Sequence, residues 1–530
     1  LNGALGADLN FFILPGLKDG LMKGRDTVAQ AIEKESGVVF GLPGESILGI
    51  YETLEDYDVR NVLMRDEGSC VHAADGFARA SGRVGVCMAT HGPGAMNMGL
   101  GIATAYKDSV PLVALAGQLP ASSLEGEVFQ GMDSYKVYGP ITKSSTRSGD
   151  LPTDVTRAFS LARSGRPGPV FLEIPQDLLE GPSAPYQREP TRRARPREGE
   201  IGTFLRAVEG ARRPLVLLGG GIIAGGAEEG VREFLRITGF PVVTTMMGRG
   251  VIPEDSPLCL GPMGTRGRQA ANDAVREADL LIVLGARMSD RTARYVPPGL
   301  ETFVVNVEGG DSASDVGEFL KAVNRRLRDR GFKGAVGHLG EATKDKAHPW
   351  KGEEGASYQA VKEIYRVIKN ETVVVDPGQY TMWALTLREV RSPREMVFSG
   401  SFAPMGFALP AAIGVHFAGK RPVVITGDGS LSMAPQELAT VRELDIPLVI
   451  CVMNNQGYAI IRQRQEDLYG RGSHVDFQVP DFQRLAGAYG IESARVKPSE
   501  VWTELAGALK SGEPFLLEIE VKRERIPMPG

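Results

Sequence analysis

Four cysteines in 530 residues are few, and Cys70, Cys87, Cys259 and Cys451 show no metal-like spacing. Cys87 and Cys451 fall in apolar, strand-like runs, where buried free thiols are expected. That suits a reducing compartment, so a cytoplasmic location is the expectation. No apolar run approaches the ~18–20 residues needed to cross a bilayer. An excess of one charge is also missing. Sixty Lys and Arg stand against 65 Asp and Glu, a net charge of -5, which excludes a strong electrostatic footprint for nucleic acid. The one basic cluster, Arg192-Arg193-Ala194-Arg195, sits beside prolines and reads as a solvated linker. No sequence repeat is visible.

What is present is an ordinary globular composition, 42% hydrophobic and 24% charged, in a chain long enough for two to four domains. Residues 1–21 start at Leu1 and carry a short apolar run without the flanks of a signal peptide; they are expected to be an extension outside the fold proper. Three α/β blocks follow, at 22–180, 201–330 and 356–530. They are separated by a Pro-, Arg- and Glu-rich linker after Gly181 and a polar stretch at about 331–355. Val38-Val39-Phe40, Val84 to Ala89, Val110 to Ala116 and Val170 to Ile174 read as strands of the first block. Leu215 to Leu218 and Leu280 to Leu284 lead into glycine-bearing turns in the second. Thr372 to Val375, Val423 to Thr426 and Leu448 to Met453 belong to the third. Strands alternating with helical stretches predict parallel sheets covered on both faces.

The most informative stretch lies in the third block. The strand Val423–Thr426 runs directly into Gly427-Asp428-Gly429-Ser430. A helical pattern through Gln436, Leu438 and Val441 follows, then a second strand that ends at Asn454-Asn455. Ligands bind at strand ends of parallel sheets. Mg²⁺ takes about six oxygens and few protein ligands. Asp428 offers a carboxylate oxygen, Asn455 an amide oxygen and Gly457 a backbone carbonyl, leaving places for phosphate oxygens and water. The glycines admit close backbone approach, and a helix starting after Gly429 favours an anion.

This pattern matches the thiamine-diphosphate signature, and the chain resembles the acetolactate synthase branch of thiamine-diphosphate enzymes from Met22 to about residue 520. The resemblance rests on further stretches: Arg65-Asp66-Glu67-Gly68 with His72 to Arg79, Ala89 to Asn97, Arg166 to Val170, and Met405 to Ala412. It implies three doubly wound α/β domains, pyrimidine-binding, central and diphosphate-binding. It also implies cofactor sites between two subunits, hence a homodimer or dimer of dimers, with a small regulatory subunit as a further partner. In this reading Glu67 hydrogen-bonds the aminopyrimidine, and Met405 wedges the cofactor into a bent shape. Pro43, Gly44, Pro93, Asn97, Gly378, Gln379, Ala403 and Tyr458 border the cofactor, and Gln130 reaches the partner's site. The implied reaction decarboxylates a 2-oxo acid and joins the product to a second carbonyl: two pyruvates to 2-acetolactate, the entry to branched-chain amino acids.

Several departures leave the substrate open. Glu45 stands where the synthases carry glycine, and His91 replaces a small residue, so a carboxylate and an imidazole are available for general acid catalysis; alternatively, Glu45 caps the following helix. Tyr380 replaces a histidine and Ala403 a glycine. Arg464 or Gln465 falls where 2-oxobutyrate-preferring synthases carry tryptophan. A non-ligating 2-oxo acid decarboxylase is therefore the second reading. FAD is similarly open. Gly220, Gly221, Arg287 and Asp290 resemble the flavin-contacting stretches, but the strand after them ends in Asn306-Val307-Glu308 without the usual acidic-proline run. A bound flavin would be structural.

Overall fold

The computed structural model describes residues 22–124, 128–332 and 355–526. The expected extension 1–21 and most of the polar stretch 331–355 lie outside them. Three six-stranded sheets form the frame. The first contains Val38–Gly41 (β1), Arg60–Leu63 (β2), Gly85–Ala89 (β3), Leu112–Gln118 (β4), Ser144–Arg147 (β5) and Pro169–Pro175 (β6). The second contains Pro214–Leu218 (β7), Val242–Thr244 (β8), Cys259–Pro262 (β9), Leu280–Leu284 (β10), Glu301–Asn306 (β11) and Gly309–Gly310 (β12). The third contains Thr372–Val375 (β13), Met396–Phe398 (β14), Pro422–Gly427 (β15), Val449–Asn454 (β16), Glu492–Val496 (β17) and Phe515–Glu520 (β18). All neighbouring strands run parallel except the two-residue β12, which turns back on β11. The central strands are buried on both faces, as expected of uninterrupted Val, Leu and Ile runs under helices. All four cysteines are free and buried.

The first and third sheets share one topology. The first runs β2-β1-β3-β4-β6-β5, and the third runs β14-β13-β15-β16-β18-β17, the same order displaced along the chain. In each, the chain leaves two adjacent strands in opposite directions: β1 and β3 in the first, β13 and β15 in the third. The second sheet has its reversal between β7 and β10. A crevice opens beyond the strand ends at such a reversal, and ligands bind there.

The first and third units share one core, in which Phe40, Phe77, Phe407 and Ile413 are all buried. At its centre helix Glu67–Ser81 crosses helix Ala408–Phe417. The second helix is apolar all round, which suits a helix enclosed between two layers. The crossing is too close for side chains. A Cβ at Gly76 would lie 2.1 Å from the Ala411 carbonyl oxygen, and one at Gly414 only 1.8 Å from that of Ala73. Arg79 pins the same helix outward, with Nη2 donating to Asp108 at 2.9 Å and Nη1 to the Phe398 carbonyl at 3.0 Å. The central unit is fastened to the third through Arg249, whose buried guanidinium grips Glu254 and the carbonyls of Leu385 and Arg388.

The helical stretch after Gly427 comes in two pieces. Helix Asp428–Leu431 is one turn long, and a separate helix, Glu437–Glu443, follows it. Pro435 between them lacks the N–H to continue the ladder. The basic linker also does more than lie in solvent: Arg193 pairs with Asp315, and Arg192 and Arg193 border a cavity of 980 Å³.

The helix crossing makes a direct prediction. Gly414→Ala should destabilise the protein by about 3 kcal/mol in chemical denaturation, because the contact is with backbone and cannot yield cheaply. Gly507→Ala, in a helix position with nothing near a new Cβ, should instead stabilise by about 0.5–1 kcal/mol. Equal effects at the two sites would remove the special status of the crossing.

Candidate active site

At the reversal of the third sheet, Gly427 ends β15 and Asp428 opens a single helical turn. The Asp428 carboxylate is enclosed by backbone donors. Oδ1 accepts from Gly429 N at 2.8 Å, and Oδ2 from Asn455, Gln456 and Gly457 N at 3.2, 2.6 and 3.3 Å. Burial raises its pKa, and the four N–H groups pull in the opposite direction. Beside it the Asn455 side-chain oxygen is buried and has no hydrogen-bond partner. An orphaned amide oxygen next to a desolvated carboxylate is the donor set a hard divalent cation takes. The neighbouring carbonyls of Asn455 and Gln456 are held by Arg523, a residue without any local sequence signal.

The surrounding wall has little room for side chains. A Cβ on Gly429 would meet Tyr458 at 2.8 Å and the Met405 methyl at 3.2 Å. Gly378 and Gly427 lie against the ring of Tyr380, which is buried with its hydroxyl toward Ser430 and Thr426. Gln379 turns elsewhere: its amide donates to the Glu524 carbonyl, and its Oε1 is buried without a partner. Ala403 has φ 54°, a left-handed conformation suited to the glycine it replaces. These glycines and the Asp428–Asn455 pair fit a diphosphate with its cation.

Sequence reading missed Asp376, directly after β13. Its carboxylate accepts from Ala408 N at 2.9 Å and from the Thr426 hydroxyl at 2.7 Å. It therefore ties the β13 loop, the start of helix Ala408–Phe417 and the end of β15 into one wall. An acid immediately after a buried strand was the available signal.

The first sheet supplies the other half. Glu67 is the first residue of its helix, set there by the Asp66 side chain accepting from Ser69 N at 2.9 Å. This is an N-cap that fixes where the helix begins. Glu67 is 9% exposed. Asn97 Nδ2 donates to its Oε2 at 2.9 Å, and Gly94 faces Oε1. Pro93 opens the short helix Pro93–Asn97 after Gly92, whose φ is 58°. The turn after β1, Pro43-Gly44, packs on Thr90, with a Cβ at Gly44 only 2.3 Å from Thr90 Cβ. Ser46 joins the two turns: its hydroxyl lies 3.0 Å from Thr90 Oγ1 and accepts from His91 N at 3.2 Å. His91 is buried. Burial lowers its pKa, while the nearby Glu45 and Glu173 carboxylates pull upward. Glu45 is exposed. Gly44 is the N-cap of the 3-10 helix Glu45–Ile47, and Glu45 stands in its first turn, where an acid is favoured by the helix dipole. Gln130 is exposed with φ 56°, and its carbonyl rests on Gly92. Among the described residues, no hydrogen bond or ion pair joins the Glu67 cluster to the Asp428 cluster.

A third feature lies at the reversal of the central sheet. A cavity of 980 Å³ opens among all three units, bordered by Gly220, Gly221, Arg266, Arg287, Asp290 and Arg394. Gly221 and Gly285 pack backbone to backbone at its floor. Burial lowers the pKa of all three arginines, that of Arg266 to about 10. Arg287 also donates to the Lys107 carbonyl at 2.6 Å and to Ser401 at 2.7 Å.

Asp376 gives a pH test. Burial raises its carboxyl to about 7, against 3.8 for an ordinary aspartate. Between those values the folded state keeps a proton that the unfolded chain has lost. This group's contribution to stability therefore falls as pH rises from about 4 to 7 and is level above 7. Asp376→Asn has no such titration. Its stability relative to the parent should rise by at most about 1.4 kcal/mol per pH unit across that window, measured by urea titration. A pH-independent difference would contradict the assignment.

Comparisons with known proteins match all three units. The N-terminal thiamine pyrophosphate-binding domain model matches residues 22–137, the central domain model 201–308 and the C-terminal thiamine pyrophosphate-binding domain model 376–519. The probable acetolactate synthase large subunit of Methanocaldococcus jannaschii is 36% identical, covering 96% of this chain and 94% of that protein. The acetolactate synthase large subunit of Lactococcus lactis is 33% identical with the same coverages, and acetolactate synthase isozyme 3 large subunit of Escherichia coli is 33% identical over 92% of each. With all three domains and nearly the full length accounted for, the chain belongs to the acetolactate synthase large-subunit family of thiamine pyrophosphate-dependent enzymes.

Proposed function

We propose that this chain decarboxylates pyruvate and joins the remaining two-carbon unit to a second pyruvate, giving 2-acetolactate and CO₂, with Mg²⁺ as the companion ion of thiamine diphosphate. The observation that carries this reading is the buried Asp428 carboxylate beside the unpartnered Asn455 Oδ1. Asp428, Asn455 and the Gly457 carbonyl would hold the ion. Gly378, Gly427, Gly429 and Ser430 would admit the diphosphate, with Met405 and Tyr458 against the rest of the cofactor. Relatives of matching length carry acetolactate synthase names.

When bound, thiamine diphosphate supplies the electron sink for the charge left as CO₂ departs. The chain's own residues do the rest. Glu67 holds or moves a proton at the cofactor's pyrimidine nitrogen, and Asn97 keeps its carboxylate in one orientation. One C–C bond breaks, one forms between the two former keto carbons, and the new alkoxide oxygen takes up one proton. Glu45 and His91 are the candidate suppliers of that proton. They also favour the second reading, a non-ligating decarboxylase, in which the proton is delivered to carbon and an aldehyde leaves.

FAD is proposed for the 980 Å³ cavity. The Gly220-Gly221 and Gly285 turns allow close approach of a dinucleotide, and the buried arginines suit its diphosphate. Its role is structural, because the net reaction has no redox step. A homodimer, alone or paired into a tetramer, accounts for the exposed Phe129, Leu100 and Met433. A small regulatory subunit is the further partner suggested by relatives named as large subunits.

Thiamine diphosphate with Mg²⁺ should raise the thermal midpoint of the purified protein, and Asp428→Ala should abolish the Mg²⁺-dependent part. Incubation with pyruvate should yield acetolactate; free acetaldehyde alone would transfer the conclusion to the second reading. Glu67→Gln should lower turnover by about 100-fold or more. A flavin spectrum released on denaturation tests the cavity assignment.

A further inference from the structure

Glu173 lies wholly inside the first unit, on the core strand β6, and so far enters only through its charge near His91. Its Oε1 accepts from Gln118 Nε2 at 3.0 Å and from Arg147 Nε at 2.6 Å, and its Oε2 faces Tyr135 N at 3.3 Å. Each partner reaches the same short segment. Gln118 Nε2 also donates to the Met132 carbonyl at 2.9 Å, and Arg147 Nη2 donates to Asp133 at 2.6 Å. Tyr135 N belongs to that segment directly. Residues 132–135 are therefore held at three points by one buried carboxylate and its two partners.

The stretch just before them is the loop over the crevice. Gln130 is left-handed, and its carbonyl would stand 2.3 Å from a Cβ on Gly92, the residue between His91 and Pro93 at the end of β3. Phe129, next to it, is 85% exposed. One end of the loop is thus fastened in the core, its middle rests on the turn beyond β3, and its tip faces outward. A buried charged network is a poor source of stability compared with apolar packing, and its best-attested use is to specify one arrangement.

We propose that Glu173 is a positioning residue for the reaction: through Gln118 and Arg147 it sets the loop 128–133 against the Gly92 turn and so fixes how Gln130 is presented at the crevice. This rests on the proposed reaction only for the role of Gln130, not for the loop.

The test uses the full-length protein with thiamine diphosphate and Mg²⁺. Hydrogen exchange of peptides covering residues 128–136 should speed up at least tenfold in Glu173→Gln, with other regions of the first unit unchanged. Asp133→Asn, at a half-exposed position that leaves the core intact, should loosen the same peptides. Unchanged exchange there, or loosening spread over the whole unit, overturns the proposal. With pyruvate as substrate, Glu173→Gln should lower kcat/KM about tenfold in the parent and less than twofold in a Gln130→Ala background. Equal losses in both backgrounds mean that Glu173 does not act through Gln130 and overturn that part. Because exchange is read without turnover, a wrong substrate assignment would leave the loop result standing.

Discussion

The proposed active site depends on the crossing of helices Glu67–Ser81 and Ala408–Phe417. Glycine at 76 and 414 lets two backbones touch, so two sheets of identical topology share one core. The first helix begins with Glu67, and the second begins where Asp376 accepts from Ala408 N. The same packing that joins the units thus sets the starting point of both helices that border the site. A small change at the crossing is felt at both ends, because close-packed interiors transmit displacement rather than absorb it.

The three reversals of strand direction explain where the polar residues gather. At the first lie Gly44, Glu45, Thr90 and His91; at the second, Gly221 and Arg287; at the third, Asp376, Asp428 and Asn455. Strand interiors carry apolar side chains on both faces, so chemistry is confined to the ends. Buried polar groups there occur in two states. Those with partners, such as Asp376, hold the scaffold, as Glu173 does from within β6. Those left short, the Asn455 and Gln379 side-chain oxygens, are where a ligand could complete the set.

Much of the frame was legible in the chain. Nine apolar runs predicted strands that the structure contains, and the strand-end placement of Asp428 and Asn455 followed from spacing alone. Short or half-exposed strands such as Arg60–Leu63 and Ser144–Arg147 were not legible, because their sequences lack a long apolar run and their pairing comes from neighbours distant in the chain. The helical pattern read through Gln436, Leu438 and Val441 stands as helix Glu437–Glu443, and Pro435 separates it from the single turn Asp428–Leu431.

The sequence by itself determined which residues stand at strand ends, since a motif of glycine, carboxylate and amide at fixed spacing is a local property. Only the tertiary structure decided which of them meet. Glu173 touches Gln118 and Arg147 across three strands, Asp376 touches Thr426 fifty residues on, and the arginines of the central cavity converge from separate segments. Such contacts carry no signal in spacing. They exist because parallel strands place residues far apart in the chain side by side, and because a buried charge must find its partners wherever the fold brings them.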